Sequence, residues 1–435
     1  MGLLIKGGRV IDPANGIDTI QDVYLENGAI AALGSTPQGF TAEHIIDASG
    51  QVVCPGLVDL RARMREPGLK HKGTIATETR AAVKGGVTTL SCPPDTVPVI
   101  DSPAVMELIH QRTMQVNRVS ILPLGALTQG LGGEQLSEMC ALKQAGCTAV
   151  SNSHKPVSTE VMRRAMEYAA SHGLAVFIHA EDRALRGKGC VHEGPISTRL
   201  GLPGIPESAE TVAVARDLQL IQLTGIRAHF CSISTAKAAQ MIARAQYDDL
   251  PITMDVSAHQ LFLTEMDIGY FNTQCHVRPP LRSQRDRDGL REALQRGAIS
   301  VICSDHQPHD VDAKLAPFPA SEPGISALET LLPLTLRLVE DGVIELHDAI
   351  AKLTCNPARV LNIDAGTLGV GKCADICIFD PNRPWVLQQD NMVSYGRNTP
   401  FIGWEFNACV THTLYRGSIV YQLGESDSGE GAKSA

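Results

Sequence analysis

Between about residues 55 and 360 the chain alternates short apolar runs with amphipathic stretches, the pattern of strands followed by helices. Eight runs read as strands: Leu57–Leu60, Thr88–Ser91, Val119–Leu122, Thr148–Ser151, Leu174–Ile178, Ile226–His229, Ile252–Val256 and Ile299–Cys303. Helical spacing marks Thr159–Ser171, Ala209–Thr224, Ala236–Ala245 and Arg285–Arg296 among the segments that follow them. Eight such units over roughly 300 residues predict an α/β fold, a (β/α)8 barrel of the TIM type with insertions. A doubly wound sheet is the alternative, but no Gly-x-Gly-x-x-Gly follows the first strand.

The two ends keep a different rhythm. Residues 1–54 read as short strands (Leu3–Ile5, Gly8–Ile11, Asp22–Leu25, Ala29–Ala31) punctuated by the turn dipeptides Asn15-Gly16 and Asn27-Gly28. The pattern returns over residues 361–423, in Asp375–Phe379, Thr413–Tyr415 and Ser418–Tyr421. One small β-domain built from both ends, flanking a barrel over 55–360, is the simplest account. Residues 424–435 are rich in Gly, Ser and Glu, almost without apolar side chains, and predict a disordered tail.

Chemistry enters at Gly56–Gly68. There an apolar strand turns into Arg61, Arg63 and Arg65 at alternate positions, which period two places on one face. An exposed edge strand would explain them. In a closed barrel the same face points inward, where guanidiniums need counter-charge. Functional residues of such barrels sit at the C-terminal strand ends. Those ends read Arg61 and Arg63, Asp95, Asn152 and His154, His179-Ala-Glu-Asp182, His229 with Ser232, His259, and Asp305-His306-Gln-Pro-His309. A single histidine there is more often a satisfied core side chain than a ligand. The set points to a site, or to the remains of one.

Composition narrows the options. Thirty-eight Lys+Arg against 47 Asp+Glu give a net charge of −9, which disfavours nucleic acid or an anionic membrane as the main partner. No apolar stretch approaches the ~20 residues of a bilayer span. The start Met1–Lys6 lacks the basic region and sustained apolar core of a secretory signal. Twelve singly placed cysteines without Cys-x-x-Cys suit reduced thiols in the cytoplasm.

Several blocks in order make the chain resemble the dihydroorotases of the amidohydrolase superfamily. They are Gly56-Leu-Val-Asp-Leu with Arg65-Glu-Pro-Gly68, Gly85-Gly-Val-Thr-Thr89, Gly201-Leu-Pro-Gly-Ile-Pro206, Pro279-Pro-Leu-Arg282, Ser304-Asp-His-Gln-Pro-His309, Leu328-Glu-Thr330 and Cys355-Asn-Pro-Ala-Arg359. The resemblance implies a zinc-bearing barrel with a flanking β-sandwich, and reversible cyclisation of N-carbamoyl-aspartate to dihydroorotate. It also implies six metal-binding positions, matching Arg61, Arg63, Asn152, His179, Ser232 and Asp305 here. Only His179 and Asp305 keep the family residue. The family's His-x-His is Arg61-Ala-Arg63, and a guanidinium has no lone pair for zinc. Its bridging carboxylate is Asn152, and its sixth-strand histidine is Ser232.

The positions implied for substrate are mixed as well. Arg65 and His309 match residues used on the dihydroorotate carboxylate, whereas two family asparagines are Asp95 and Arg278. Asp95 should repel a dianionic substrate, and Arg278 is the cation available to offset it. Loss of metal leaves Asp305 in need of a counter-ion, so at least one of Arg61 and Arg63 is expected to pair with it.

A catalytic zinc site needs about three protein ligands and an open position. The expectation is therefore a pseudoenzyme with no catalytic residues, no bound zinc and Asp305 as a relic acid/base. The resemblance extends to a subgroup that supports aspartate carbamoyltransferase in a large hetero-oligomer of pyrimidine biosynthesis. The alternative is a divergent cyclic amidohydrolase with a rebuilt mononuclear site drawn from His229, Cys231, His259, His306 and His309. Alternation along an extended strand would turn Cys231 away from the barrel axis if Ser232 faces it.

Overall fold

The computed structural model describes residues 2–424; residues 425–435 of the expected tail lie outside the described residues. The barrel strands are Leu57–Asp59, Val87–Cys92, Ser120–Pro123 continued by Gly125–Ala126, Ala149–Ser151, Ala175–Ile178, Ala228–Phe230, Ile252–Ser257 and Val301–Cys303. Neighbours pair in parallel throughout. A parallel bridge between Ala62 and His306 joins the first strand to the eighth and closes the ring. The expected (β/α)8 barrel is the observed one.

Strand periodicity divides the side chains between two cores. Val58, Leu60, Ala175, Phe177, Cys231, Val301 and Cys303 form an inner apolar cluster. Leu57, Val87, Val176, Ile178, Phe230, Met254, Val256 and Ile302 join the larger cluster shared with the helices. Helix Thr159–Ser171 shows how the outer layer is specified. Met162, Ala165, Met166 and Ala169 are its buried face, and the Ser158 side chain accepts from the Val161 N–H to cap the N-terminus, a contact worth about 1 kcal/mol. Glu160–Arg164 and Arg163–Glu167 pair on the solvent side.

Both chain ends build one eight-stranded sheet. Its order runs from Ser418–Gln422 through Cys409–Tyr415, Ile376–Asp380, Val52–Pro55, Gly2–Asp12 and Ile17–Glu26 to Ala29–Leu33, with His44–Asp47 pairing alongside Gly2–Asp12. The sheet keeps its own apolar cluster, including Ile5, Val23, Val53, Ile378 and Leu414. Its other face, with Val52, Cys54, Cys377 and Phe379, packs into the barrel's outer core. Gly86 is required at this junction. Its φ is +82°, and a Cβ would lie 2.5 Å from the Cys377 sulfur.

The arginine-filled centre at the barrel mouth

The first strand delivers Arg61 into the middle of the barrel mouth, where it is 2% exposed. Its Nη1 donates to His179 Nδ1 at 2.9 Å and to Ser232 Oγ at 3.2 Å, and its Nη2 donates to His154 Nε2 at 2.8 Å. Its Nε stands 2.9 Å from Asp305 Oδ1 without hydrogen-bond alignment, so that contact is one of charge. Arg63 Nη1 also reaches Asp305 Oδ1, at 3.3 Å, while its Nε and Nη2 both lie 2.9 Å from Asp95 Oδ2. Gln307 Nε2 completes the shell of Asp305 at 3.1 Å. Both arginines thus contact Asp305, as the charge argument expects. Two guanidiniums face two carboxylates, so the cluster is neutral within itself.

A guanidinium only donates. The ring nitrogens of His179 and His154 that face it must therefore present lone pairs, so both imidazoles are neutral. Their titration agrees. Removal from water, together with neighbouring His179 and Arg61 for His154, and Arg61 and Arg63 for His179, pushes both well below the usual histidine range. The lone pairs that a metal would take are spent on a protein cation.

Zinc does not fit this centre. Arg61 and Arg63 offer it no electrons, and the Asn152 amide turns away, its Oδ1 accepting from Thr128 Oγ1 at 2.7 Å and its Nδ2 donating to Lys155 O at 3.4 Å. Ser232 accepts from Arg61 and from Ser257 Oγ at 3.2 Å. The space left among His154, His179, Glu181, Ser232 and Arg278 is about 20 Å³, room for one water-sized group and far below the ~300 Å³ of small ligand pockets.

The substrate-matching positions are likewise engaged. Arg65 Nε donates to Pro308 O at 2.9 Å, and its Nη2 is 3.2 Å from His309 Nε2. Burial first, then Arg63, lowers Arg65 to about 10, so it stays charged at neutral pH. Burial and Arg65 push His309 down to about 2. The cations acting on Asp95 are Arg63, Arg61 and Arg65, while Arg278 is held across the mouth by Glu181 and donates to His154 O at 3.3 Å.

One expectation is corrected, that for Cys231. It lies in the inner apolar cluster and faces the barrel axis. Ser232 has φ +50°, which breaks strand alternation, so residues 231 and 232 both face inward. Cys231 thereby stands with His229 and Asp255, their donor atoms within 4.8 Å of one another. These donors are already committed. His229 bonds Thr253 Oγ1 at 2.7 Å and Asp255 Oδ2 at 2.8 Å, and Asp255 Oδ1 accepts from Ser232 N at 2.5 Å. Burial pushes the Cys231 thiol well up, away from the thiolate that metals bind. His306 is also taken, by Glu78 Oε2 at 2.9 Å and the Ala327 N–H at 3.0 Å.

Three participants were given no role by the sequence reading. His154 and Glu181 were visible only as strand-end polar residues. Asp255, a carboxylate inside the apolar run Ile252–Val256, carried the clearest signal.

Comparison with known proteins gives a consistent picture. Residues 50–238 match the dihydro-orotase-like family model, and residues 325–421 match an amidohydrolase family model. A "dihydroorotase-like protein" of Pseudomonas putida is 50% identical over 97% of this chain and 99% of its own length. A "dihydroorotase" of Geobacter sp. strain M21 is 42% identical over 98% of this chain and 100% of its own. Among solved structures, the L-hydantoinase (dihydropyrimidinase) from Arthrobacter aurescens superposes with a TM-score of 0.88 at 24% identity, over 97% of this chain and 96% of that one. This last likeness speaks to the fold alone.

Proposed function

The chain belongs to the dihydroorotase-like family of the amidohydrolase superfamily, and from that premise we propose that it is a pseudoenzyme, a structural subunit of an aspartate carbamoyltransferase assembly in cytoplasmic pyrimidine biosynthesis. The observation that carries the loss of chemistry is Arg61. Its guanidinium occupies the space between His179, Asp305 and Ser232 and uses the histidine lone pair that a zinc ion would need. Without a bound cation no water is acidified and no carbonyl polarised, so Asp305 has nothing to deprotonate. The centre instead holds four charges in one connected run, Arg61 to Asp305 to Arg63 to Asp95, an arrangement suited to keeping the mouth rigid.

The subunit role follows from what remains. A closed barrel and a complete β-domain persist without a working centre, and a rigid body of this size can supply interfaces. Free thiols at all twelve cysteines suit a reducing compartment. No described helix is long and apolar enough to cross a membrane.

Size-exclusion chromatography of the full chain mixed with the aspartate carbamoyltransferase of the same cell tests the proposal. A shared peak larger than either protein alone is expected. Separate elution at micromolar concentrations would refute the subunit role.

A further inference from the structure

Away from the barrel mouth, between helix Leu331–Glu340 and the β-domain strands Cys409–Tyr415 and Ser418–Gln422, lies a cavity of about 180 Å³. Its wall is largely apolar, made by Leu332, Pro333, Trp385, Val410, Tyr421 and Leu423. Nearly all the polar groups on it are engaged. Lys84 Nζ pairs with Glu329 Oε1 at 2.8 Å and donates to Asn391 O. Glu329 also accepts from the Val393 and Ser394 N–H groups, at 3.1 and 3.2 Å. The Asn391 side chain bonds Gln388 N and Val386 O, and Cys409 Sγ donates to Val410 O at 3.5 Å.

Two aromatic side chains give this space its character. Trp385 is fixed in advance, since its Nε1 donates to Ala408 O at 2.8 Å and its ring lies 5.3 Å from that of Phe406. The Tyr421 hydroxyl has no hydrogen-bond partner among the described residues. Burial first, then Cys409 and Glu329, raises it to about 12, so it is a neutral donor standing towards two other groups of the wall. Half-buried Trp385, Tyr421 and Leu423 leave the cavity an entrance from solvent. An apolar cavity of about 150 Å³ stays dry and accepts benzene, so this one has room for a single ring with a small substituent. A preformed apolar wall with one free polar group is how small-molecule sites fix orientation. From the apolar volume and the free hydroxyl we infer that the cavity binds a neutral, single-ring aromatic molecule whose polar substituent accepts from Tyr421. An ionised ligand would lose its hydration there without meeting an unpaired cation. The site uses no residue of the arginine-filled centre and stands apart from the pseudoenzyme reading.

The chain has two tryptophans, and of these only Trp385 lines the cavity. Fluorine NMR of the full chain labelled with fluorotryptophan, assigned with Trp404→Phe, therefore reads the site directly. Phenol should shift the Trp385 signal saturably, with a Kd of about 1 mM or tighter. Tyr421→Phe removes the hydroxyl and breaks no internal bond, so it should weaken phenol about fivefold and leave toluene unchanged. Leu423→Ala opens the apolar wall and should weaken both about threefold. No saturable shift of the Trp385 signal up to about 20 mM phenol, or a phenol affinity that both variants retain, would overturn the inference.

Discussion

Replacing Arg61 with methionine isolates what its guanidinium does. Methionine keeps much of the aliphatic bulk and removes the charge and every donor. Asp305 then retains only Arg63 Nη1 at 3.3 Å and Gln307 Nε2 at 3.1 Å, and His179 and His154 lose their donors. Breaking a buried pair by removing one partner costs about 3–5 kcal/mol. Arg63 stays in place, so the lower end, about 3 kcal/mol, applies. Unfolding entropy of about 2.1 cal/mol/K per residue gives roughly 0.9 kcal/mol/K for 435 residues. The melting temperature at pH 8 should therefore fall by about 3 °C, read by differential scanning calorimetry. Arg61→Lys restores a cation without the planar fork and should recover part of the loss. Histidine NMR supplies a second readout, because removing the cation should let His179 and His154 titrate at higher pH. A methionine variant that melts within about 1 °C of the parent, with both histidines still untitrated, would refute the reasoning.

Acid should weaken the parent protein. Burial is the leading cause that lowers His154 and His179, and it holds His259 and His276 at about 4 and His309 at about 2. Below about 6.5 the unfolded chain takes up protons that the folded chain refuses, so stability is complete above that pH and falls as pH drops, by up to ~1.4 kcal/mol per unit for each group. Asp59, which burial raises to about 7, and Glu210, Asp217, Glu265 and Asp375, which burial also raises, work in the opposite direction and reduce the net fall. Urea midpoints that stay flat from pH 7 to pH 5 would contradict this. Gly86→Ala should cost about 2 kcal/mol or more by combining positive φ with the Cys377 contact, and a neutral urea midpoint would show that the junction yields.

The scaffold was more legible than the site. Eight apolar runs and their turn signals located every barrel strand, because burial on both faces leaves little choice of residue. Helix Thr159–Ser171 could be bounded at both ends from its apolar spacing. At the centre, sequence could show that ligands were missing and that a counter-ion was needed, because charge balance is countable. It could not show direction. Cys231 was assigned outward on strand alternation, which the left-handed backbone of Ser232 suspends. Nor could it show which charges meet, since reach gives Asp95 to Arg63 and Arg278 to Glu181.

The most direct measurement of the central claim is dihydroorotate turnover by the purified full chain, supplied with zinc and free of any partner. With Arg61 seated among His179, Ser232 and Asp305, no rate above buffer is predicted. A zinc-dependent rate that Asp305→Ala abolishes would contradict the account, since it would require the guanidinium to leave the centre and a metal to take its place.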